Sequence, residues 1–503
     1  MFATLASGFE MFLTPLAVGL TFMGILIGML VGALPGLGPL MGIVLLLPFA
    51  IGMPPLAGMG FLIAIFVGGS CGGSVSAILL RIPGTPLAAA TLLDGYPMAK
   101  KGRAADAIGI ALAASALGGI AGGVVLIMAS PTLARFASSF GPPEYTMLAI
   151  TGLFTISLIS EGTLVKGLMA CAFGLLLSTV GTDEFSTGFR FTFDNPNLMN
   201  GFHIVAVVVG LFAVSEMAFQ VMGSDLLSSP TIQKVQPGLG SFVRVLRHWP
   251  NLLRSSGIGV FFGSLPGAGG DISSFSAYGV AKAFSGSHEN YGTGEEGGVV
   301  ATEAANNATV GGALVPTLAL GIPGDASSAM LLGAMLILGF VPGPLMFVQE
   351  PGFVGGIFLV YMLSNVFLLV AGIIAAPLFI RVLSIPKAYL IPAILILCCI
   401  GTFALQASVF DLLVMFAFGL VGMLFRLTGY PLSPVVLGLI LGPILESNLR
   451  RSLLISREGY WIFLDRPVAS ALVVLNVLIL TGLLVSSLRR MKKARGGKRA
   501  LNP

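Results

Sequence analysis

Residues 32–38 read Gly-Ala-Leu-Pro-Gly-Leu-Gly, and residues 263–269, 231 positions later, read Gly-Ser-Leu-Pro-Gly-Ala-Gly. A second pair follows in the same order, because Ile-Pro-Gly-Thr at 82–85 recurs as Ile-Pro-Gly-Asp at 322–325, 240 positions later. Two motifs that recur in order at nearly equal offsets indicate two homologous halves.

The composition is typical of an integral membrane protein. Of the 503 residues, 56% are apolar and 9% are charged, whereas soluble domains carry about 25% charged residues. About a dozen stretches approach the roughly 20 apolar residues of a spanning helix. We therefore predict an all-α polytopic membrane protein with about 11–12 transmembrane helices and additional broken or re-entrant segments. The lipid bilayer is its expected surrounding.

The net charge of +5 does not point to nucleic acid. Seven of the 26 basic residues lie between Arg489 and Arg499, after the last apolar stretch, where a basic tail is typical of a cytoplasmic anchor. The four cysteines lie in apolar segments without metal-site spacing, so we expect neither a structural metal nor a disulfide.

Lysine and arginine in short loops predict the orientation. The basic loops at 94–106 and 223–256 are assigned to the cytoplasm, and the acidic loop that contains Asp183 and Asp194 is assigned to the outside. Residues 1–15 lack Lys and Arg, which favours an outside N-terminus and two repeats of inverted topology. One loop disagrees, because Arg450, Arg451, Arg457 and Arg466 fall outside if every later stretch spans, so we expect this segment to be partly re-entrant.

These patterns predict four regions. Residues 1–222 form a first repeat with broken segments near 32–42 and 70–88, and residues 223–256 form a cytoplasmic linker. Residues 257–448 form a second repeat with broken segments near 263–275 and 306–328. Residues 449–503 hold a terminal loop, the last helix and the basic tail.

The breaks predict an anion site. Proline lacks an amide hydrogen and each unsatisfied backbone group in hydrocarbon costs several kcal/mol, so such breaks persist only beside protein or a watery cavity. A break also creates a half-helix whose N-terminus carries free amides and about +0.5 charge. A single kink that helps helices pack would be unremarkable, but the duplicated pair favours a binding site with cation-coordinating carbonyls nearby.

The predicted substrate-binding residues lie in and around the breaks: Pro35, Gly36, Gly38, Ser70, Ser74, Arg81, Pro83, Gly84, Thr85, Pro266, Gly267, Gly269, Asn306, Asn307, Pro323, Gly324 and Ser327. The predicted coupling-ion residues are Asp271, Asp325 and Ser273, because a carboxylate at mid-membrane depth is costly unless it has a function. Glu303 adjoins the polar stretch of Glu295 and Glu296 and is left aside. Arg81 is the basic residue beside a break, where it either pairs with a substrate carboxylate or snorkels to the interface.

An enzyme is not expected. Gly-Gly-Ser-Cys-Gly at 68–72 fits a serine hydrolase pattern, but the sequence indicates no group that would orient His203, which we interpret as a helix-packing residue. The sequence contains no nucleotide-binding loop and no zinc-protease motif, so we predict no cofactor.

The motifs as a set resemble the large membrane subunit, TctA, of the tripartite tricarboxylate transporters. The resemblance rests on residues 32–38, on 69–102 and on Glu-Ala-Ala-Asn-Asn at 303–307 leading to Gly-Ile-Pro-Gly at 321–324, with Gly-Pro-Ile-Leu-Glu at 442–446. It extends over nearly the whole chain.

The resemblance implies an ion-driven importer of carboxylates such as citrate in the bacterial inner membrane. It also implies two partners, a small four-span membrane subunit and a periplasmic solute-binding protein that delivers the substrate. Sodium and the proton are both open as the coupling ion. Arg81 stands where the family commonly has Asn, so the substrate or its charge is expected to differ from the family norm. The alternatives are a channel or a scaffold subunit without transport of its own.

Overall fold

The computed structural model describes residues 2–34, 37–159, 164–183, 185–186, 188–223, 238, 240–265, 269–286, 288–383 and 385–481. The first half of the chain forms the helices α1 Phe2–Phe12, α2 Pro15–Ala33, α3 Gly38–Ile51, α4 Pro55–Leu80, α5 Leu92–Met98, α6 Ala104–Ala137, α7 Pro142–Ile159, α8 Leu164–Ser178, α9 Ile204–Val208 and α10 Ser215–Gly223. The second half forms α11 Gly240–Arg247, α12 Trp249–Ser264, α13 Gly269–Ala283, α14 Glu296–Leu320, α15 Ala326–Ile337, α16 Met346–Gln349, α17 Pro351–Leu383, α18 Lys387–Gln406, α19 Val409–Thr428, α20 Ser433–Ile455, α21 Ile462–Asp465 and α22 Pro467–Thr481.

Shorter segments join these helices. A 3-10 turn covers Pro86–Ala89, and π-helical segments cover Ala99–Arg103 and Val209–Val214. The antiparallel strands Gly181–Thr182 and Phe189–Arg190 form a small hairpin, which is the only sheet in the described part of the chain.

The prediction of an all-α polytopic membrane protein is confirmed. Seven helices of the described residues are long and apolar enough to cross a membrane, and an eighth span results if α22 is counted together with Gly459–Asp465, from which it is bent by 95°. Shorter apolar helices include α3 and α15. The count of 11–12 spans stays a prediction.

The chain forms two compact units. The first contains residues 1–138 and 205–423, and the second contains residues 139–204 and 424–503. These units interleave the two sequence halves, so compactness does not follow the predicted repeat boundaries, which stay a prediction.

Within the first unit, α2, α3 and α4 fold as a tight triplet. A Cβ on Gly28 would lie 2.5 Å from the Ile65 carbonyl oxygen, and one on Gly32 would lie 2.1 Å from the Gly69 carbonyl oxygen. Helices α2 and α4 therefore pack backbone to backbone through small residues and run in the same direction. Helix α3 returns beside α4, because Pro39 contacts Gly69 whereas Gly58 contacts Ala50.

The second half builds a matching triplet from α12, α13 and α14. A Cβ on Gly259 would meet the Ala305 carbonyl oxygen at 2.3 Å, and one on Gly263 would meet the Thr309 carbonyl oxygen at the same distance. Helix α13 returns beside α14, with the Ser273 hydroxyl 2.8 Å from that of Thr309. Each triplet thus ends its first helix at a Leu-Pro-Gly break against the middle of its third helix.

Candidate functional site

The two breaks of the first half lie against each other. Helix α2 ends at Ala33 and α3 begins at Gly38, whose φ of +65° is in the left-handed region that favours glycine. The Ile-Pro-Gly segment after α4 folds back onto this break, so that a Cβ on Gly84 would lie 2.1 Å from the Gly32 carbonyl oxygen. No side chain fits at Gly84 without movement of that carbonyl.

The two breaks of the second half repeat this contact. Helix α12 ends at Ser264, and after α14 the chain returns so that a Cβ on Gly324 would lie 2.5 Å from the Gly263 carbonyl oxygen and 2.7 Å from the Ala313 Cα. In the first half Gly84 likewise meets the Cα of Gly73 at 2.9 Å. Positions that match in sequence therefore make matching contacts.

The breaks are narrower than predicted. Helix α4 continues without interruption to Leu80 and α14 to Leu320, so Ser70, Ser74, Asn306 and Asn307 lie inside helices and not in broken segments. Two Gly-Gly pairs, Gly72-Gly73 in α4 and Gly311-Gly312 in α14, do not interrupt their helices either. The missing side chains admit neighbours, since a Cβ on Gly73 would meet the Thr85 hydroxyl at 2.5 Å.

Several predicted residues lie outside the described part of the chain. These are Pro35, Gly36, Pro266 and Gly267, together with the side chain of Asp271. Gly269 is described as the first residue of α13. The assignment of Asp271 to the coupling ion therefore stays a prediction.

The structure brings residues of both halves together. The Asn306 side-chain nitrogen donates to the Ser70 carbonyl oxygen at 3.0 Å, which joins α14 to α4. Helix α13 packs against the 3-10 turn at Pro86–Ala89, and α15 packs against α3 and α4. Elements next to the breaks of each half are thus covered by elements of the other half. Ser70, Ser74, Thr85, Asn306, Asn307 and Ser327 are all buried there.

Asp325 and Thr85 are matching helix caps. Asp325 Oδ1 accepts from the Ser328 amide at 2.7 Å, and the Asp325 amide donates to the Ser328 hydroxyl at 2.9 Å, which is a capping box. Thr85 Oγ1 accepts from the Ala88 amide at 3.2 Å. The Asp325 carboxylate therefore binds the N-terminus of α15, one of the half-helix ends at which the sequence analysis predicted an anion site. Its role toward the coupling ion stays a prediction.

Arg81 lies apart from this buried set. It ends α4 with φ 58° and ψ 23°, its side chain is exposed, and its guanidinium carbon lies 5.5 Å from the centre of the Tyr96 ring. No carboxylate of the described residues forms an ion pair with it. The interpretation of Arg81 as a ligand for a substrate carboxylate stays a prediction.

Glu303 is the buried carboxylate that the sequence analysis left aside. It lies in α14, its exposed fraction is 0%, and its Oε1 accepts from the Ser74 hydroxyl at 2.5 Å and from the Thr91 hydroxyl. Its Oε2 accepts from the Ser115 hydroxyl of α6 at 2.8 Å. One carboxylate thus gathers hydroxyl groups from three separate segments of the first half. The sequence signal was a Glu inside the apolar run of α14, obscured by Glu295 and Glu296 before it.

Asp94 is a second buried carboxylate that the sequence placed in a solvated loop. Its Oδ1 accepts from the backbone amides of Gly292, Gly294 and Glu295 at 2.8 to 2.9 Å, and its Oδ2 accepts from the Tyr278 hydroxyl at 2.9 Å. Nearby, Lys101 Nζ donates to the Thr293 carbonyl oxygen at 2.7 Å. The start of α5 is therefore fastened to the loop before α14.

The second unit carries a charged cluster and a cavity of about 310 Å³. Arg190 forms a two-point ion pair with Glu446 at 2.7 and 3.2 Å, and Arg450 pairs with Glu446 at 2.7 Å and with Asp183 at 2.9 Å. The Phe185 amide and Arg450 together lower the pKa of the Asp183 carboxyl to about 2, so this pair stays ionised at neutral pH. The cavity is lined by Ser178, Val180, Thr182, Asp183, Phe185, Arg190, Met199, Asn200, Pro443, Glu446 and Ser447, none of which was predicted as a site residue.

Comparison with known proteins identifies the family of this chain. The model of the "Tripartite tricarboxylate transporter TctA family" matches residues 18–437. The chain belongs to the TctA family. A relative from Agrobacterium vitis, described as an uncharacterized 52.8 kDa protein in the TAR-I ttuC' 3'region, is 34% identical over 489 residues, which cover 97% of each chain. Another Agrobacterium vitis relative, from the TAR-II ttuC' 3'region, is 33% identical over 231 residues, which are 46% of this chain and 96% of that one. No solved structure matches.

Membership in the TctA family accounts for the long apolar helices as those of a multi-pass membrane subunit of a tripartite tricarboxylate transporter. Such a system includes a small membrane subunit and a periplasmic binding protein. In this TctA chain the Ser70 hydroxyl, which the hydrolase pattern had singled out, donates to the Phe66 carbonyl oxygen at 2.9 Å within its own helix. That bond is the ordinary backbone contact of a buried helical serine.

Proposed function

We propose that this chain is the large membrane subunit of an ion-coupled importer of tricarboxylates or related carboxylates in a bacterial inner membrane. It would receive substrate from a periplasmic solute-binding protein and work beside a small four-span membrane subunit. The observation that carries the proposal is the assembly, in a TctA-family chain, of breaks from both halves around buried polar side chains of α4 and α14.

The directions of the helices support two halves of opposite orientation. Helices α4 and α14 hold matching places in their triplets, yet Ser74 contacts Glu303 and Ser70 contacts Asn306, so residue numbers rise on one helix as they fall on the other. An inverted pair of repeats with its site between discontinuous helices is a recurring plan of secondary transporters. Alternating access would then move the break-bearing triplets relative to the remaining helices.

The polar lining supports a carboxylate as substrate. Thr85, Asn306, Asn307 and Ser327 supply hydroxyl and amide donors within or next to the breaks. Uncharged donors bind an anion without the large desolvation penalty of a buried cation, and exposed Arg81 adds a positive charge at the end of α4. Asp271, Ser273 and Asp325 of the second half are the coupling-ion residues that the sequence predicts, and Glu303 is considered separately below for the case in which the coupling ion is a proton.

The test is uptake by the complete system in liposomes. The purified membrane subunits are reconstituted, loaded binding protein and radiolabelled citrate are added outside, and sodium and pH gradients are imposed separately. An ion-coupled carrier accumulates citrate above the outside concentration, and an ionophore that removes the gradient abolishes this accumulation. Uptake that stops at the outside concentration would indicate a channel, and no uptake above protein-free liposomes would indicate a scaffold subunit. Either result contradicts the proposal.

A further inference from the structure

Glu303 sits at a junction of four segments in the first unit. Its carboxylate contacts Ser74 on α4, Thr91 just before α5 and Ser115 on α6, while Glu303 itself belongs to α14. Ser74, Thr91 and Ser115 are each at most 1% exposed. The carboxylate is therefore sealed from bulk water in this conformation.

No positive charge compensates this carboxylate among the described residues. None of their ion pairs includes Glu303. Its hydrogen-bond partners on other segments are hydroxyl groups, and the side-chain amide of Asn306 lies near it on α14 itself. An ionised carboxylate without a cation is unfavourable inside a membrane protein, although hydrogen bonds offset part of that penalty. Because no ion pair holds Glu303 in its ionised form, its protonation state can change when its surroundings change.

The three hydroxyl groups suit both protonation states. An ionised Glu303 can only accept, so each hydroxyl would donate to it, and the distances of 2.5 Å from Ser74 and 2.8 Å from Ser115 allow such hydrogen bonds. When Glu303 carries a proton, one hydroxyl can rotate and accept a hydrogen bond from the carboxyl O–H group, because a hydroxyl has two acceptor lone pairs beside its donor. Both protonation states of Glu303 therefore fit the site without a change of the backbone.

The same distances argue against a metal cation among these oxygens. Two oxygen ligands that bind one hard cation at about 2.4 Å and at right angles lie about 3.4 Å apart. The Ser74 and Ser115 oxygens lie instead at hydrogen-bond distance from the carboxylate oxygens, 2.5 and 2.8 Å. In this conformation the oxygens are spaced as hydrogen-bond partners.

Unpartnered polar atoms lie one turn further along α14. The Asn306 side-chain oxygen and both polar side-chain atoms of Asn307 are buried without a hydrogen-bond partner. Ordered water normally satisfies such atoms in protein interiors, so this part of α14 offers polar groups that a water molecule could bind close to Glu303. On the other side, the Thr91 hydroxyl lies 3.0 Å from that of Thr302, toward Glu296 at the start of α14.

The other titratable groups near Glu303 are accounted for. Asp94 of α5 accepts hydrogen bonds from three backbone amides of the loop before α14 and from Tyr278. The Tyr361 hydroxyl of α17 donates to the Asn307 carbonyl oxygen at 3.1 Å. Cys71 on α4 also lies close enough to interact with Glu303, and the charged groups towards the start of α14 are paired with one another: Asp106 and Glu296 with Arg103 and Arg244.

We propose that Glu303 is the proton-carrying residue of this transporter, binding one coupling proton inside the hydroxyl cage of Ser74, Thr91 and Ser115. This inference rests on the proposed function, because it names the ion that drives carboxylate import. The proton enters from the side of higher proton activity, forms the O–H bond of the carboxylic acid, and leaves on the other side when the site reopens. No electron transfer and no other reactant is involved.

The deciding variant is Glu303→Gln, which keeps the shape and removes the exchangeable proton. In proteoliposomes containing both membrane subunits and the binding protein, it is expected to retain exchange of internal for external citrate. Its accumulation driven by a pH gradient is expected to fall at least tenfold, to the level without a gradient. Glu289→Gln, an identical change at an exposed position, serves as the control and is expected to match the wild type.

Two transport results would overturn the inference. One is undiminished pH-driven accumulation by Glu303→Gln, and the other is a wild type that accumulates citrate with a sodium gradient but not with a pH gradient. Both leave import itself standing. A wild type without any uptake refutes the proposed function instead.

Infrared difference spectroscopy of the purified protein tests Glu303 without transport. A pH jump is expected to produce a protonated-carboxyl band in the wild type that is absent in Glu303→Gln and retained, at a shifted pH, in Glu303→Asp. Spectra that are identical in all three proteins would overturn the inference whatever the uptake shows. Because Glu303→Asp keeps a titrating group, it decides the question even if the Gln variant fails to fold.

Discussion

Arg81 illustrates how a single backbone angle limits which residues suit a position. It ends α4 in the left-handed region, where the matching residue that ends α14 is Gly321 with φ 69°. Residues other than glycine pay about 1–2 kcal/mol there, and asparagine pays least. The Asn that the family resemblance leads us to expect at this position would suit the conformation, whereas the Arg81 guanidinium lies near the Tyr96 ring.

We expect Arg81→Asn to keep the stability of the wild type and Arg81→Val to lower it by about 1 kcal/mol, because a β-branched side chain is a strong outlier at positive φ. Thermal unfolding of the purified protein in one detergent measures the difference. Equal melting temperatures for the Val variant and the wild type would contradict the left-handed assignment. Gly257→Ala, at a position with open space around it, controls for detergent effects.

At the scale of elements, Asp94 fastens the start of α5 to the loop before α14. Four donors converge on one buried carboxylate, and hydrogen bonds to charged groups contribute about 1.5–3 kcal/mol each. The loop depends on this side chain, since Gly292 and Gly294 adopt positive φ and bring their amides toward it.

We expect Asp94→Ala to lower the free energy of unfolding by about 2–4 kcal/mol and to speed amide hydrogen exchange at residues 292–295. Hydrogen exchange read by mass spectrometry checks both the place and the size of the effect. Asp106→Asn is the matched control, because its partners Arg103 and Arg244 are partly exposed and such ion pairs contribute about 0–1 kcal/mol. Unchanged exchange at 292–295 in the Ala variant would show that Asp94 does not hold the loop.

The Leu-Pro-Gly and Ile-Pro-Gly motifs mark where helices end, because their signals are local, although the predicted broken segments extended too far into α4 and α14. Leu-Pro-Gly and Ile-Pro-Gly end helices for steric reasons that need no knowledge of the fold, and α2, α4, α12 and α14 each end within two residues of these motifs. The sequence analysis did not predict the buried carboxylates of Glu303 and Asp94, because their hydrogen-bond partners lie far along the chain. Ser74 precedes Glu303 by 229 residues, and the Gly292 amide follows Asp94 by 198. Local pattern does not reveal which carboxylate such distant donors will surround.

At the scale of the whole molecule, the predicted topology disagreed with the arginines of residues 450–466, which fall outside if every later stretch spans, and this segment was therefore expected to be partly re-entrant. Two of those four arginines have acidic partners within the second unit: Arg450 pairs with Asp183, and Arg466 pairs with Glu144 at 2.6 Å. The Arg450–Asp183 pair joins this segment to the acidic loop that was assigned to the outside.

We therefore expect both the N-terminal segment and the end of α20 to be outside. In a protein whose four native cysteines are replaced, Leu13→Cys and Leu454→Cys, which are 54% and 75% exposed, should react with a membrane-impermeant thiol reagent in spheroplasts. Glu289→Cys, in the loop before α14, should react only after lysis. Protection of Leu13→Cys would contradict the inverted repeat, and protection of Leu454→Cys would contradict the outside placement of residues 450–466.

The central claim is that the breaks of both halves form one carboxylate site, and substrate protection of cysteines tests it most directly. Thr85→Cys and Ser327→Cys place a thiol in each half, at positions only 2% and 5% exposed. A small thiol reagent is applied to the reconstituted transporter with and without a tricarboxylate at ten times its Kd. We predict that the tricarboxylate slows modification about tenfold at both positions and leaves Leu454→Cys unaffected. Unchanged rates at both positions, in protein that still imports the substrate, would contradict the account.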